Sequence, residues 1–181
     1  MSKPYSTRSD IEKLKSNWKK TLGLFARREY SLSILRAAVT AELALNHAIR
    51  HELGVKHGLP SDFIDKQLLW ANGIKGKLDR LYVPILAGTR LENKTKEIAK
   101  ELKRLNTERN NIAHRGEFRK KETAQQYLEL AEKEVNTLVK RYDKSFKLNK
   151  FNPSRSYERT VIDPIGGGSI TMPMHPGDDE K

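Results

Sequence analysis

No cysteine occurs in the 181 residues, which removes disulfides, thiolate metal sites and thiol nucleophiles together. Long apolar runs are missing as well. The richest stretch, Ile34 to Ile49, is interrupted by Arg36, Glu42, Asn46 and His47, and a membrane span needs roughly 18 consecutive apolar residues. The opening Met1-Ser2-Lys3-Pro4 lacks the apolar core of a secretion signal. These absences predict a cytoplasmic chain that makes no membrane contact. Acidic side chains are in short supply: 23 Asp and Glu face 35 Lys and Arg, a net charge of +12. An excess of that size favours an acidic partner, nucleic acid first.

What is present reads as helix. Hydrophobic residues make up 36% and charged residues 32%, a balance that suits long, well-solvated helices around one core. Asp10 is a capping residue for a helix to about Glu29, with Ile11, Leu14, Trp18, Leu22 and Phe25 at three-and-four spacing. A second helix is predicted from Ser31 to Leu53, stopped by Gly54. Pro60-Ser61 opens a third, which Asn72-Gly73 and Gly76 kink or split and Pro84 ends. A fourth runs from Leu91 to Arg115 and stops at Gly116; a fifth runs from Glu122 to Leu148. Short connectors between amphipathic helices predict antiparallel neighbours, so the expected fold is all-α, an up-and-down antiparallel bundle of four to five helices. That bundle covers residues 1–148. Residues 149–181 change character, with Pro153, Pro164, Pro173, Pro176 and the run Gly166-Gly167-Gly168. An irregular or partly disordered tail is expected there; Val161-Ile162 and Ile170-Thr171-Met172 flank its turn-rich centre and allow a small hairpin, with partial disorder as the equal alternative. No internal repeat is visible.

The stretch richest in chemistry is Arg109-Asn110-Asn111-Ile112-Ala113-His114, followed by Arg115-Gly116. It puts a permanent cation, an amide and an imidazole that titrates near neutrality into six residues. That set can cleave RNA without a metal. Arg115, Arg119, Lys120 and Lys121 follow directly as RNA-binding cations, and Lys140, Arg141, Lys144, Lys147 and Lys150 are expected to line the last helix.

Polar residues interrupt two apolar seams. On the fourth helix Leu91, Ile98, Leu102, Leu105 and Ile112 leave one seam position unfilled, read as Arg109. On the second, Leu32, Leu35, Val39, Ile49 and Leu53 leave Glu42 and Asn46. An unpaired buried charge is expensive, so Glu42 is expected to meet Arg109, with Asn46 in support. Asn110 and His114 share a helical face, whereas Arg109 and His114 stand about 140° apart on an ideal helix. Convergence then needs an unwound helix end or a second copy of the chain. A symmetric homodimer has a further attraction. RNA transesterification needs both a base and an acid, and two copies of His114 divide those roles.

Arginine followed by a polar residue and then histidine resembles the signature of the HEPN family (higher eukaryotes and prokaryotes nucleotide-binding domains). The resemblance spans about residues 10–148 through the helical pattern, the motif Arg109-Asn110-Asn111-Ile112-Ala113-His114 and an acidic position, Glu42, on an early helix. It implies a small helical bundle acting as a dimeric, cofactor-free, metal-independent endoribonuclease. The products would be a 2′,3′-cyclic phosphate and a 5′-hydroxyl. The resemblance also implies a toxin or defence effector, hence an inhibitory antitoxin or regulatory partner. His114 would transfer protons, Arg109 would clamp the phosphate, and Asn110 would orient the substrate or the histidine. One toxin subgroup of the family carries tyrosine two places after the histidine, where this chain has Gly116.

Other features carry less. His47 and His51 are four apart, a metal-capable spacing with no HExxH pattern around it, so no metal is expected. His57 and His175 fall in predicted loops, and the Gly166 run lacks the lysine of a phosphate-binding loop. Trp18, Trp70 and most tyrosines occupy core spacings, which argues against a base-stacking platform. Two rival functions fit the same residues. One is a catalytically silent module that binds RNA, a nucleotide or a partner protein. The other is a plain helical interaction domain whose polar seams set register.

Overall fold

The computed structural model describes residue 4 and residues 7–154, 158–162 and 169–173. Four long helices form the body: α1 (Asp10–Ala26), α2 (Tyr30–Arg50), α6 (Glu92–Arg115) and α7 (Lys121–Val139). Between α2 and α6 the chain makes α3 (Ser61–Trp70), α4 (Gly73–Lys77) and the single turn α5 (Val83–Ile85). The all-α bundle expected from periodicity is what the chain forms. A two-stranded antiparallel ribbon, β1 (Glu158–Ile162) and β2 (Ser169–Pro173), pairs Val161 with Ile170.

α2 is the central helix and packs against α1, α6 and α7. Its sequence explains why. Ala37, Ala38, Ala41, Ala44 and Ala48 are buried together with Ile34, Leu45 and Ile49. Small side chains let neighbouring backbones approach closely, and alanine has the highest helix propensity. Of the residues chosen as the seam, Ile49 is buried and Leu35 and Leu53 pack partly buried against the core, whereas Leu32 is 49% exposed and Val39 42% exposed. Leu32 and Val39 therefore stand on an outer face of α2, which corrects their assignment to the core.

Boundaries follow capping chemistry. Ser9, not Asp10, caps α1: its side chain accepts from Glu12 N while the Glu12 carboxylate accepts from Ser9 N at 2.6 Å, a capping box. The stop expected at Gly54 is passed. α2 widens into a π turn, His51–Lys56, and the chain first turns left-handed at Gly58, φ 66°. The split expected near Asn72-Gly73 occurs there. α7 ends at Val139, nine residues before its predicted limit at Leu148. Beyond it, Phe146, Leu148 and Phe151 fold back into the core, and Asn149 O accepts the Trp18 indole N–H at 2.7 Å. Hydrophobic anchoring replaces helix in that segment.

One end of the bundle holds a buried polar network. Glu52 accepts from Tyr142 OH and Lys56 Nζ, both at 2.8 Å, and the Tyr142 and Tyr82 hydroxyls lie 2.9 Å apart. Arg141 reaches Tyr82 OH at 3.0 Å and Thr95 Oγ1 at 2.7 Å. Burial pushes both tyrosines above their ordinary range. Arg141, predicted to line a basic helix, is thus a structural tie between α7's end and α6.

Candidate functional site

The last two turns of α6 carry the motif. Gly116 takes the left-handed conformation, φ 66°, and its N–H bonds Asn111 O, which closes α6 after Arg115. A residue with Cβ is strained in that conformation, so glycine is the fitting stop. The helix does not unwind. Arg109 closes the 140° gap by its own length: Nη1 donates to Asn110 Oδ1 at 3.0 Å and lies 3.3 Å from His114 Nε2. The side chain sweeps across Asn110, which stands between the other two around the helix. A guanidinium only donates, so His114 Nε2 is the acceptor and the ring proton sits on Nδ1. Among the described residues Arg109 Nε and Nη2 have no hydrogen-bond partner. Arg109 and His114 are exposed and Asn110 is half-buried.

Glu42 does not meet Arg109. Its Oε1 receives Lys77 Nζ from α4 at 2.6 Å, and Lys77 itself is only 4% exposed. Asn46, one turn further along α2, faces the same cleft between α2, α3 and α4. Glu42 and Asn46 therefore support that cleft rather than the α6 motif. The misplacement has a geometric cause. Between Leu105 and Ile112 a three-then-four step falls on Glu108 and a four-then-three step on Arg109. The structure buries Glu108, 7% exposed, and leaves Arg109 outside.

Glu108 is the functional-region residue that sequence reasoning missed. Its carboxylate takes Nε of Arg119, while Nη2 of the same guanidinium bonds Glu117 Oε2 at 2.5 Å. These two carboxylates push the Arg119 pKa further up. Arg119 N also donates to Ser31 Oγ at 2.9 Å, fastening the α6–α7 connection to the start of α2. Arg119 is thus a clasp, and its predicted role as an RNA contact is corrected. Arg115, Lys120 and Lys121 are exposed and make no side-chain hydrogen bond or ion pair among the described residues. Lys120 caps α7 and Lys121 begins it, beside Glu122. Cations are disfavoured at that helix end, so these lysines raise the positive potential there at some expense in stability.

Two large aromatic side chains are more than half exposed. Phe118 is 91% exposed on the α6–α7 connection, at the end of the bundle where Leu32 is also exposed. Trp70, expected in the core, is 58% exposed, with the Arg80 guanidinium 4.9 Å from its ring centre. At the far end of α2, burial holds His47 below the usual imidazole range. Among the described residues no three His, Asp or Glu side chains are grouped to hold a metal ion, and no helix is long and apolar enough to cross a membrane.

Comparison with family models, with characterised proteins and with solved structures returns no match for this chain.

Proposed function

We propose that this chain is a metal-independent endoribonuclease of HEPN type that works as a homodimer. The observation that supports it best is the 3.3 Å approach of the Arg109 guanidinium to His114 Nε2 on an exposed helix end. RNA is drawn to Arg115, Lys120 and Lys121. A backbone phosphate then takes the place of His114 as the partner of Arg109, which frees Nε2 as an acceptor. His114 accepts the 2′-hydroxyl proton as the 2′-oxygen bonds to phosphorus. Arg109 stabilises the charge that builds on the non-bridging oxygens. The bond from phosphorus to the 5′-oxygen breaks, and that oxygen takes a proton from His114 of a second copy, which enters the step as the imidazolium, protonated on both ring nitrogens. A cyclic phosphate and a 5′-hydroxyl remain.

One histidine per motif makes the second copy a chemical need. The exposed Leu32 and Val39 of α2 and Phe118 of the α6–α7 connection supply apolar area for a symmetric contact. An unrestrained nuclease of this kind arrests growth, which makes the chain a toxin or defence effector with a restraining partner. The test is cleavage of end-labelled RNA in EDTA. Wild type is expected to cut, with Arg109→Ala and His114→Ala slower by about 100-fold or more. Equal rates for wild type and His114→Ala, or cutting only with added metal, contradict the mechanism. Salt-sensitive binding with no product selects the silent phosphate-binding module instead.

A further inference from the structure

The cleft between α2, α3 and α4 holds about 420 Å³, within the size range of small-ligand sites. Its base is the nearly buried Lys77, whose Nζ bonds Glu42 and keeps further N–H donors. Asn46 and Arg50, one helical turn apart, line one wall, while Leu68 and Leu69 supply an apolar wall opposite. Among the described residues two buried polar atoms of this lining have no hydrogen-bond partner: Asn46 Oδ1 and Arg50 Nη1. Arg50 is otherwise engaged, with Nη2 on Asp65 at 2.6 Å and Nε on Asp10 at 3.5 Å. Unpartnered buried groups are uncommon and destabilising. A ligand that draws the amide and the guanidinium outward relieves both.

The charges select the ligand. Lys77 and Arg50 are each matched by a carboxylate, so the cleft is close to neutral and does not suit a phosphate. The amide oxygen asks for a donor, the two cations ask for acceptors, and the leucines ask for a flat apolar face. A nucleobase with an exocyclic amino group offers all three, and asparagine is a common reader of such an edge. A second feature points the same way. Asn72 lines both this cleft and the adjoining surface that contains Trp70 and Arg80. An exposed indole beside a guanidinium is the platform on which unpaired bases stack. The nuclease motif is close by: Lys103 of α6 bonds Asp79 Oδ1 at 2.5 Å, and Arg109 lies six residues, about 9 Å, further along the same helix.

We infer that the α2–α3–α4 cleft takes an unpaired base of single-stranded RNA that carries an exocyclic amino group, as adenine, cytosine and guanine do and uracil does not, while Trp70 stacks a neighbouring base. This rests on the proposed reading of the chain as an RNA-acting protein. The test uses the full chain carrying His114→Ala, titrated at low salt with oligo(A), oligo(C) and oligo(U) of about ten nucleotides. The readout is the fluorescence anisotropy of end-labelled oligomers, which also reads Trp70→Ala; in wild type, quenching of tryptophan fluorescence reports Trp70 as well, because Trp18 is buried. Oligo(A) or oligo(C) is expected to bind at least about tenfold tighter than oligo(U). Asn46→Ala is expected to erase that preference, and Trp70→Ala to weaken all three by about tenfold. Leu69→Asp, at an exposed position that spares the fold, should weaken oligo(A) and oligo(C) alone. Equal binding of the three oligomers, or a preference that survives both Asn46→Ala and Leu69→Asp, overturns the inference. Cleavage of mixed-sequence RNA by wild type separates the two ideas. Cutting with no Asn46-dependent preference sinks the cleft and spares the nuclease. Asn46-dependent preference without cutting does the reverse.

Discussion

Arg109 and His114 meet because the guanidinium sits at the end of a long flexible stem, so helical projection of Cα positions understates its reach. Their 3.3 Å contact has a signature independent of catalysis. With Nε2 as acceptor, the neutral ring is held in the Nδ1–H form. Ring-nitrogen chemical shifts are expected to show that tautomer in wild type and a shift toward the Nε2–H form in Arg109→Ala. Identical shifts in the two proteins contradict the contact. His47 gives a second residue-level expectation. It faces Asp10, Asp143 and His51, and burial is the largest influence, lowering its pKa from the ordinary 6.5. The folded state then binds this proton less readily than the unfolded state. Its stability is complete above about pH 6.5 and declines as pH falls below that value. Thermal melts between pH 8 and pH 5 should show a shallower acid decline for His47→Gln; an unchanged slope rules the effect out.

At the scale of elements, the places where the sequence could be read and where it could not have distinct causes. Helix existence, the kink at Asn72-Gly73 and the stop at Gly116 follow from backbone chemistry that is local, and they appear in the structure. Seam residues depend on which helices surround a given helix. On α2, three neighbours bury the alanine face, so the spacing of the larger residues found Ile49 but also took in Leu32 and Val39, which lie outside. On α6, spacings of three and four fit both Glu108 and Arg109, and only the clasp to Arg119 separates them. The partner of Glu42 came from a different element altogether, since Lys77 lies in the least regular part of the helical region. Close packing there makes its own prediction. A Cβ on Gly76 would stand 3.0 Å from the backbone of Ala71, and backbone cannot move aside cheaply. Gly76→Ala is expected to destabilise the fold by about 1–3 kcal/mol despite alanine's better helix propensity, measured by urea unfolding. A stabilised variant would show that α3 and α4 do not approach as described.

For the whole molecule, charge and exposed apolar area determine its associations. The +12 charge draws polyanions at long range, but Arg119 and Arg141 are tied into the fold, so the free cations near the motif are fewer than the composition suggests. In the proposed dimer, the exposed apolar positions Leu32, Val39 and Phe118 are the contact between the two copies. Sedimentation of Leu32→Glu with Phe118→Glu is expected to show monomer where wild type is dimer, with RNA cleavage lost and the thermal melt unchanged. Dimer persisting in this double variant would move the contact to another face.

The most direct measurement of the central claim is the chemistry of the cut ends. Mass spectrometry of RNA fragments produced in EDTA is predicted to show 2′,3′-cyclic phosphates and 5′-hydroxyls with wild type, and no such ends above background with His114→Ala. Fragments ending in 5′-phosphates, or cyclic phosphates formed equally well without His114, would contradict it.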